Sequence, residues 1–325
     1  SVIATRICDY ILAPEDMPEA LLKYTSEASQ IAVKAMKEQK VDEAADVLSM
    51  IYEIIKKRNS VDFNLYKQST VLRCLERRMR ICQILALDEY HSYLKDNPDE
   101  VDCLYYSLLI GVTRFFRDRD AFEFIKNNVI PEILGSKTNN EPVRVWVAGC
   151  STGEEAYSLA ILFKEYMDNA QKNINVKIFA TDVDINAIEY ASAGVYPDSI
   201  ADDVSLERLN RYFIKKKDVY QVSKSIREMV IFSTHNIIAN PPFYKMDLLS
   251  CRNLLIYFQP QLQARILSAF QFALETNGIM FLGTSETTGE LGSYFSTVNA
   301  KWKIFRKKEA KKRPLIDDFS VISTG

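Results

Sequence analysis

The chain has 325 residues, of which 47% are hydrophobic and 26% are charged, and its formal net charge is −2. The length suits two domains with hydrophobic cores of their own, and the composition is that of a globular protein. A balanced charge excludes a global attraction to nucleic acid or to anionic membranes, so we expect neither as a partner, although a local basic patch stays open.

The cysteines and histidines exclude two further classes of protein. The six cysteines form no C-x-x-C pair, and His91 and His235 stand in no metal-ligand spacing. We therefore expect no bound metal and no disulfide framework, but reduced thiols in a cytoplasmic protein. No apolar run is long enough to span a bilayer and no signal peptide stands at Ser1, and the start without Met leads us to expect a piece of a longer chain.

The amino-terminal part is predicted to be a tail followed by helices. Residues 1–24 form the tail, in which Pro14 breaks a loop that leads into a short helix. Residues 25–58 contain no Gly and no Pro and place apolar residues at helical spacing, which predicts a helical linker. Residues 59–135 continue as helices with a break at Pro98, which predicts a small all-helical domain.

The pattern then changes to β-type runs that alternate with helical runs. This alternation is typical of a doubly wound parallel sheet, so we predict an α/β, Rossmann-like domain over residues 136–308. A small antiparallel β insert is predicted at about residues 211–232, and residues 309–325 are predicted to be a linker. The predicted strands of the domain are, in chain order, 143–148, 176–180, 229–232, 247–249 and 279–282.

The loop after the first predicted strand carries two carboxylates. It reads Gly149-Cys150-Ser151-Thr152-Gly153-Glu154-Glu155 and lacks the G-x-G-x-x-G pattern that places a pyrophosphate on a helix N-terminus. Glu154 and Glu155 would repel phosphate there and attract a cation, and S-adenosylmethionine carries a sulfonium and an ammonium but no phosphate. The alternative, that both carboxylates only complement the helix dipole, stays open.

Two further acids follow the second predicted strand. An acid at this place is the usual partner of ribose hydroxyls, which points to Asp182. The alternative is that Asp182 caps the next helix, but Asp184 directly precedes the helical run and is the better capping residue. We therefore assign Asp182 to the ribose of a bound cofactor.

Six segments of the sequence carry a family resemblance. They are, in order, Gly111–Asp118 (GVTRFFRD), Ser151–Ser158 (STGEEAYS), Ala180–Asp184 (ATDVD), Ala193–Tyr196 (AGVY), Cys251–Phe258 (CRNLLIYF) and Gly283–Glu286 (GTSE). In this order they resemble the chemotaxis protein methyltransferases, the CheR-type family, over about residues 50–308. The resemblance implies S-adenosylmethionine-dependent esterification of glutamate side chains on chemoreceptor-like proteins. The alternative is a weakly active or inactive S-adenosylmethionine-binding signalling scaffold or sensor.

The resemblance also implies residue roles by position. Arg117 and Tyr257 match residues beside the transferred methyl group and are the candidate catalytic residues. Where the family has Asn-Leu-Thr, this chain has Gly111-Val112-Thr113, so a side-chain contact from the Asn position is lost. The candidate cofactor-binding residues are Thr113, Gly149, Glu155, Asp182, Asn236, Ile237, Asn253 and Leu254.

Two more segments bear on the flanking domains and on the partner. Residues 9–18 resemble the end of a receptor methylesterase domain, so we expect the methyltransferase portion of a methylesterase–methyltransferase fusion. Family members that tether to a C-terminal receptor peptide carry a glycine-bearing loop in the β insert. That position reads Lys215-Lys216-Lys217-Asp218 here, so tethering to a C-terminal receptor pentapeptide is not expected.

A basic helix face is the candidate substrate-binding surface. Arg73, Arg77 and Arg80 share one face of a predicted helix, at i, i+4 and i+7. A receptor methylation helix is rich in Glu, and this face would steer it by charge. A solvated face with Glu76 nearby is the structural alternative. RNA binding is a poorer alternative, because aromatic residues that stack on bases are missing here.

Overall fold

The computed structural model describes residues 12–24, 41–137 and 141–309. Within these ranges the chain forms a helical unit followed by an α/β unit, as the sequence predicts. Parts of four predicted segments lie outside the described residues: residues 1–11 of the tail, 25–40 of the helical linker, 138–140 of the α/β domain and 310–325 of the final linker. No helix among the described residues is both long enough and apolar enough to cross a membrane.

Five helices lie before residue 109 in the described ranges, and the last four of them share the hydrophobic core of the helical unit. They are α1 Met17–Tyr24, α2 Val41–Asn59, α3 Gln68–Ile81, α4 Leu87–Asp96 and α5 Pro98–Leu108. Helix α5 begins with Pro98, whose fixed φ and missing N–H suit the first helical position. Helix α3 buries Val71, Leu75 and Met79, a stripe at helical spacing that faces the core.

The helical unit begins earlier than the predicted boundary at residue 59. Leu48, Ile51 and Ile55 of α2 are buried in the same hydrophobic core as the apolar residues of α3, α4 and α5. An apolar stripe at that spacing has to be covered by neighbouring helices, because exposing it to water is unfavourable. The part of the predicted linker from residue 41 onward is therefore a structural member of this unit.

A buried ion pair joins α3 to α5 inside the helical unit. Arg78 Nη2 lies 2.6 Å from Glu100 Oε2, and the Tyr90 hydroxyl donates to Glu100 Oε1 at 2.7 Å. Removing one partner of such a pair is costly, because the other charge is left buried without compensation. Arg78 therefore has a structural role, whereas Arg73 and Arg77 on the same helix are exposed.

The α/β unit is built around a seven-stranded sheet in the spatial order β6-β2-β1-β7-β8-β10-β9. The strands are β1 Val143–Ala148, β2 Val176–Asp182, β6 Val230–Thr234, β7 Met246–Cys251, β8 Leu274–Leu282, β9 Phe295–Asn299 and β10 Ile304–Lys307. The first five strands in the spatial order pair in parallel, and β10 pairs antiparallel with both β8 and β9. This is the doubly wound sheet that the sequence predicts, extended by a hairpin at one edge.

Helices cover the sheet and connect its strands. They are α6 Arg119–Phe124, which continues through a π-helical turn at Ile125–Val129 into α7 Ile130–Ser136, then α8 Glu154–Asn169, α9 Ile185–Ala193, α10 Leu206–Tyr212, α11 Lys224–Arg227 and α12 Pro260–Ala273. Short 3-10 turns lie at Phe63–Leu65, Asp198–Asp202, Leu255–Tyr257 and Gly289–Tyr294. Crossover helices of this kind are what parallel strands require.

Successive residues of the central strands enter two different hydrophobic cores. In β1, Val145 and Val147 belong to the core that contains α8, whereas Trp146 and Ala148 belong to the core that contains the helical unit. This follows from the period of two along a strand. The helical unit and one face of the sheet therefore share a single core, which fixes the unit against the sheet.

The β insert differs from the prediction. The small sheet has the order β3-β5-β4, with β3 Val195–Pro197, β4 Phe213–Lys216 and β5 Val219–Val222 paired antiparallel. The predicted insert at about 211–232 is therefore wrong at both ends, because it omits β3 and includes the start of β6. Strand β6 pairs in parallel with β2, where the open edge of the main sheet satisfies its backbone groups.

A short antiparallel bridge ties the helical unit to the segment after β7. Tyr66 pairs with Phe258, the Lys67 amide donates to the Tyr257 carbonyl at 2.8 Å, and the Gln259 amide donates to the Leu65 carbonyl at 3.1 Å. The rings of Tyr66 and Phe258 also meet edge to face, with centroids 4.9 Å apart. These contacts place the helical unit directly beside Tyr257.

Candidate active site

A cleft of about 850 Å³, including its open mouth, lies where β1, β2 and β7 end. In an open α/β sheet ligands bind outside the carboxyl ends of the strands, so this is the expected place for a site. The helical unit closes one side with Tyr66 and with the segment that runs from Leu108 to Thr113. The residues singled out from the sequence that line the cleft are Thr113, Arg117, Gly149, Glu155, Asp182, Asn253, Leu254 and Tyr257.

Two of the predicted cofactor residues do not line this cleft. Ile237 instead lines a neighbouring apolar cleft together with Pro241 and Phe272. Asn236 lies in a turn in which its Oδ1 accepts from the Ile238 amide at 2.9 Å. Their cofactor contacts stay predictions.

The backbone after β1 makes a cradle that only glycine fits. Gly149 has φ +73, and a Cβ at this position would lie 2.7 Å from Leu254 Cδ2. A side chain would therefore be strained by its backbone conformation and would collide with the opposite wall of the cleft. Glycine therefore lets the loop after β1 pass close to the loop after β7, and both loops line the cleft.

Asp182 and Asp184 have separate tasks. The Asp184 carboxylate accepts the amides of Asn186 at 2.9 Å and Ala187 at 3.3 Å, so the prediction that it caps the next helix is confirmed. Asp182 is half-buried and lines the cleft, and its oxygens accept the amides of Ser151 at 2.7 Å and Asp184 at 3.0 Å. Burial raises the pKa of Asp182, and these backbone hydrogen bonds oppose the rise.

The two glutamates at the start of α8 point to different environments. Glu155 lines the cleft, and it accepts from the Ser250 hydroxyl at 2.7 Å and from Arg252 Nη1 at 3.0 Å. Glu154 is not among the cleft-lining residues, and the Thr152 hydroxyl donates to it at 2.7 Å. Of the two carboxylates, only Glu155 therefore lies in the cleft, and its contact with a cationic ligand stays a prediction.

Sequence reasoning missed Arg252, a cleft-lining residue whose side chain is 1% exposed. Besides Glu155, its guanidinium donates to Asp118 Oδ2 at 2.6 Å and to the Arg117 carbonyl at 2.9 Å. The sequence did contain a signal for this residue, since Arg252 directly follows the fully buried strand β7. An arginine at such a position has to find charged or hydrogen-bonding partners inside the protein.

Glu286 was also missed as a functional position. It is 3% exposed, and its carboxylate accepts the amides of Gly283 at 2.6 Å, Leu255 at 2.8 Å and Asn253 at 3.1 Å. Burial raises the pKa of Glu286, and these three amides oppose the rise. The motif Gly283–Glu286 therefore holds the loop after β7, in which Asn253 has a left-handed φ of 59.

Arg117 and Tyr257 lie together at the cleft. Both are half-buried, and Arg117 Nη1 donates to the Val112 carbonyl at 3.1 Å. Burial raises the pKa of Tyr257, and the positive charges of Arg117 and Arg73 oppose the rise, so Arg73 also lies near this tyrosine. Of the other arginines on the predicted basic face, Arg77 is exposed and Arg80 is half-buried.

Gly111 is in contact with the cofactor loop. The Ser151 hydroxyl donates to the Gly111 carbonyl at 3.1 Å, and a Cβ on Gly111 would lie 3.0 Å from the Ser151 Oγ. Gly111 therefore replaces the family's Asn at a position where Ser151 fills the adjacent space.

The donor set of the cleft fits S-adenosylmethionine. Glu155 and Asp182 offer carboxylates to an ammonium and to ribose hydroxyls, and the backbone of Gly149 lines the cleft beside them. The Oδ1 atom of Asn253 is buried without a hydrogen-bond partner in the described part of the chain, as expected of an atom that awaits a ligand. In the same ranges no group of three or more His, Cys, Asp and Glu residues is arranged to hold a metal ion.

The fold and this acidic cleft are those of the S-adenosylmethionine-dependent methyltransferases. Residues 111–304 match the family described as "CheR methyltransferase, SAM binding domain", and residues 47–109 match "CheR methyltransferase, all-alpha domain". The chain belongs to the CheR methyltransferase family, and its cofactor is S-adenosylmethionine. The match to the all-alpha domain begins inside α2, as the packing of that helix requires.

Named relatives agree with the family. A chemotaxis protein methyltransferase of Borreliella burgdorferi is 29% identical over 252 residues, which cover 74% of this chain and 88% of that protein. Chemotaxis protein methyltransferase Cher2 of Pseudomonas putida is 35% identical over 191 residues, which cover 57% and 69% of the two chains. A 104.1 kDa protein from the hypE 3′ region of Rhodobacter capsulatus is 39% identical over 275 residues, and the match spans 85% of this chain but only 29% of that relative.

Glu154 should make the stability of the chain depend on pH. Burial raises its pKa to about 7, from a value of 4.5 for an exposed glutamate. Between these values the folded state holds a proton that the unfolded chain has lost, so stability falls as the pH rises through this window. Glu154→Gln removes this loss, so its melting temperature relative to the parent chain should rise from about pH 5 to about pH 8.

The matched control for this measurement is Glu189→Gln, which changes an exposed glutamate. Its melting temperature relative to the parent should stay constant over the same range. A difference for Glu154→Gln that does not change with pH would show that this carboxyl is ionised in the folded chain throughout.

Proposed function

We propose that this chain transfers the methyl group of S-adenosylmethionine to glutamate carboxylates of chemoreceptor-like proteins and so forms methyl esters. The observation that carries the proposal is the position of Arg117 and Tyr257 in the same cleft as Glu155 and Asp182. Arg117 and Tyr257 suit an acceptor carboxylate, and Glu155 and Asp182 suit the cofactor. The names of the Borreliella and Pseudomonas relatives support the choice of chemoreceptors as substrate class.

The chemistry requires no general base. S-adenosylmethionine supplies an electrophilic methyl group, and a glutamate with an ordinary pKa of about 4.3 is already a carboxylate at neutral pH. No histidine is among the residues that line the cleft, which agrees with a reaction that needs no general base. What remains for the protein is to align two reactants of opposite charge and to exclude water, and alignment alone is worth roughly 7 to 11 kcal/mol in favourable cases.

Each side chain of the cleft has a role that its chemistry suits. Glu155 and Asp182 would hold the ammonium and the ribose of the cofactor. Arg117 presents a planar fork that matches a carboxylate, so it would orient the acceptor glutamate. Burial raises the pKa of Tyr257, so its hydroxyl stays protonated at neutral pH and is available to donate a hydrogen bond.

The alternative of an inactive scaffold or sensor is less favoured. The motive for this alternative is that Gly111 replaces the family's Asn. Ser151 packs against Gly111, however, and Arg117 and Tyr257 are both in the cleft. A substrate of this class also places the chain in the cytoplasm, next to receptor signalling helices. The glycine-free segment Lys215–Asp218 of the insert, where Lys215 of β4 pairs with Asp198, favours direct helix recognition without a C-terminal peptide tether.

The proposed reaction is tested by transfer of label. The full chain is incubated with S-adenosylmethionine labelled in its methyl group and with cytoplasmic domains of candidate receptors. We expect label in the receptor that is released as methanol by mild base, since carboxyl methyl esters are base-labile. Label that resists base would contradict esterification, and a complete lack of transfer to any candidate would favour the sensor alternative.

Asp182→Ala should weaken binding of S-adenosylhomocysteine by about 10- to 100-fold, because hydrogen bonds to a charged group are worth about 1.5 to 3 kcal/mol. Titration calorimetry measures the affinity. The matched control is Asp218→Ala, which removes an exposed carboxylate that is not among the cleft-lining residues and should leave cofactor binding normal. Unchanged affinity in Asp182→Ala would remove this residue from the ribose role.

Arg117→Ala should lower methyl transfer by roughly 100-fold, because a misplaced acceptor carboxylate loses alignment, whereas cofactor affinity should stay nearly unchanged. Arg117→Lys should restore little, since a point charge cannot replace a fork. Arg114→Ala is the control, because Arg114 is three residues away, is exposed and is not a cleft-lining residue. A loss of cofactor affinity equal to the loss of activity would contradict the proposed clamp.

Reversing Arg73 and Arg77 to Glu should raise the Michaelis constant for the receptor by roughly 2- to 30-fold, since exposed ion pairs are worth about 0.2 to 1 kcal/mol each. Added salt should raise the constant of the parent chain in the same way. A Lys224→Glu, Lys301→Glu variant makes the same change in net charge at exposed positions of the α/β unit and serves as control. Equal effects of both variants would argue against a specific basic face.

A further inference from the structure

Arg252 occupies an unusual place for a charged residue. Its side chain is 1% exposed, at the point where the buried strand β7 enters the cleft. The guanidinium carbon lies 4.5 Å from the ring centre of Phe281 and 5.3 Å from that of Phe122. Such an ion is tolerated only with charged and hydrogen-bonding partners, so its partners show what it organises.

The partners of Arg252 come from two different walls of the cleft. Nη1 donates to Glu155 Oε2 at 3.0 Å, on the wall that faces the cofactor. Nη2 donates to Asp118 Oδ2 at 2.6 Å and to the Arg117 carbonyl at 2.9 Å, on the wall that carries the acceptor arginine. One rigid, planar group therefore spans both walls, which the flexible point charge of a lysine cannot do.

The wall that carries Arg117 needs such a restraint. Phe116 and Asp118, on either side of Arg117, have left-handed φ values of 50 and 63, which non-glycine residues rarely adopt. Strained backbone persists only where its surroundings over-determine it. Here the Phe116 amide donates to the Ser158 hydroxyl at 3.0 Å, and Arg252 holds the carbonyl of Arg117 and the carboxylate of Asp118.

We propose that Arg252 is a positioning residue that locks the backbone of Arg117 to the cofactor-facing carboxylate Glu155, so that acceptor and donor keep a fixed separation. This inference rests on the proposed methyl transfer for its catalytic meaning. The lock itself is a property of the chain, and it is measurable without turnover.

The principal variant is Arg252→Lys, made in the full chain. Misplacement of about 1 Å near a reaction centre can cost 100-fold in rate, so we expect kcat to fall by about 10- to 100-fold. Affinity for S-adenosylhomocysteine should fall much less than kcat. The matched control is Arg78→Lys, which makes the same change in another buried arginine–glutamate pair, away from the cleft, and should leave kcat nearly unchanged.

A double-mutant cycle separates positioning from general damage. If Arg252 acts through Arg117, then Arg252→Lys should change the rate by less than about threefold once Arg117→Ala is present. Independent effects that simply multiply would overturn the proposal. Asp118→Asn is the gentler second variant, because asparagine tolerates left-handed φ, and it should lower kcat in the same direction by a smaller factor.

Hydrogen exchange tests the lock without catalysis. The amides of residues 111–118 should exchange faster in Arg252→Lys than in the parent chain, and Arg78→Lys should leave them unchanged. Unchanged exchange in Arg252→Lys would overturn the proposal even if activity falls. If the parent chain transfers no methyl group, the proposed function fails, but the exchange of this segment still decides whether Arg252 locks it.

Discussion

The need to compensate two buried charges shapes the cleft of this protein. Arg252 directly follows β7, Glu286 contacts the turn that comes next, and water has little access to either side chain. A buried ion without partners is strongly unfavourable, so each of these side chains makes hydrogen bonds or ion pairs with residues of the surrounding loops. Arg252 gathers Asp118, Glu155 and the Arg117 carbonyl, and Glu286 gathers three backbone amides. The segment around Arg117 and the turn after β7 are therefore held by these two residues rather than by regular secondary structure.

The cleft is completed only where the helical unit meets the sheet. Both share one hydrophobic core, and the bridge between Tyr66 and Phe258 fixes the helical unit beside Tyr257. This arrangement brings Arg73 of α3 close enough to oppose the burial-induced rise in the pKa of Tyr257. A substrate helix that approaches along α3 would therefore reach the cleft without leaving the basic face. The proposed recognition surface and the proposed reaction centre lie side by side because the two units pack through a common core.

The sequence determined those features that depend on near neighbours in the chain. The alternation of β-type and helical runs gave the α/β unit, and the period of two within β1 explains its two cores. The direct adjacency of Asp184 to its helix distinguished the cap from Asp182. The family motifs located most of the cleft, because β1, β2 and β7 all end at the same edge of the sheet.

Tertiary structure alone decided which of these residues meet. Glu154 and Glu155 are adjacent in sequence, but the turn of α8 sends only Glu155 into the cleft. Strand β6 joins the main sheet because the edge of β2 is open to it, which no local pattern of residues 229–232 reveals. Arg252 and Asp118 are far apart in the chain and pair only after β7 is buried. A charged group that loses its water in the folded core needs a partner there, and this need produces the contact. Which groups lose their water depends on the packed structure and not on the local sequence.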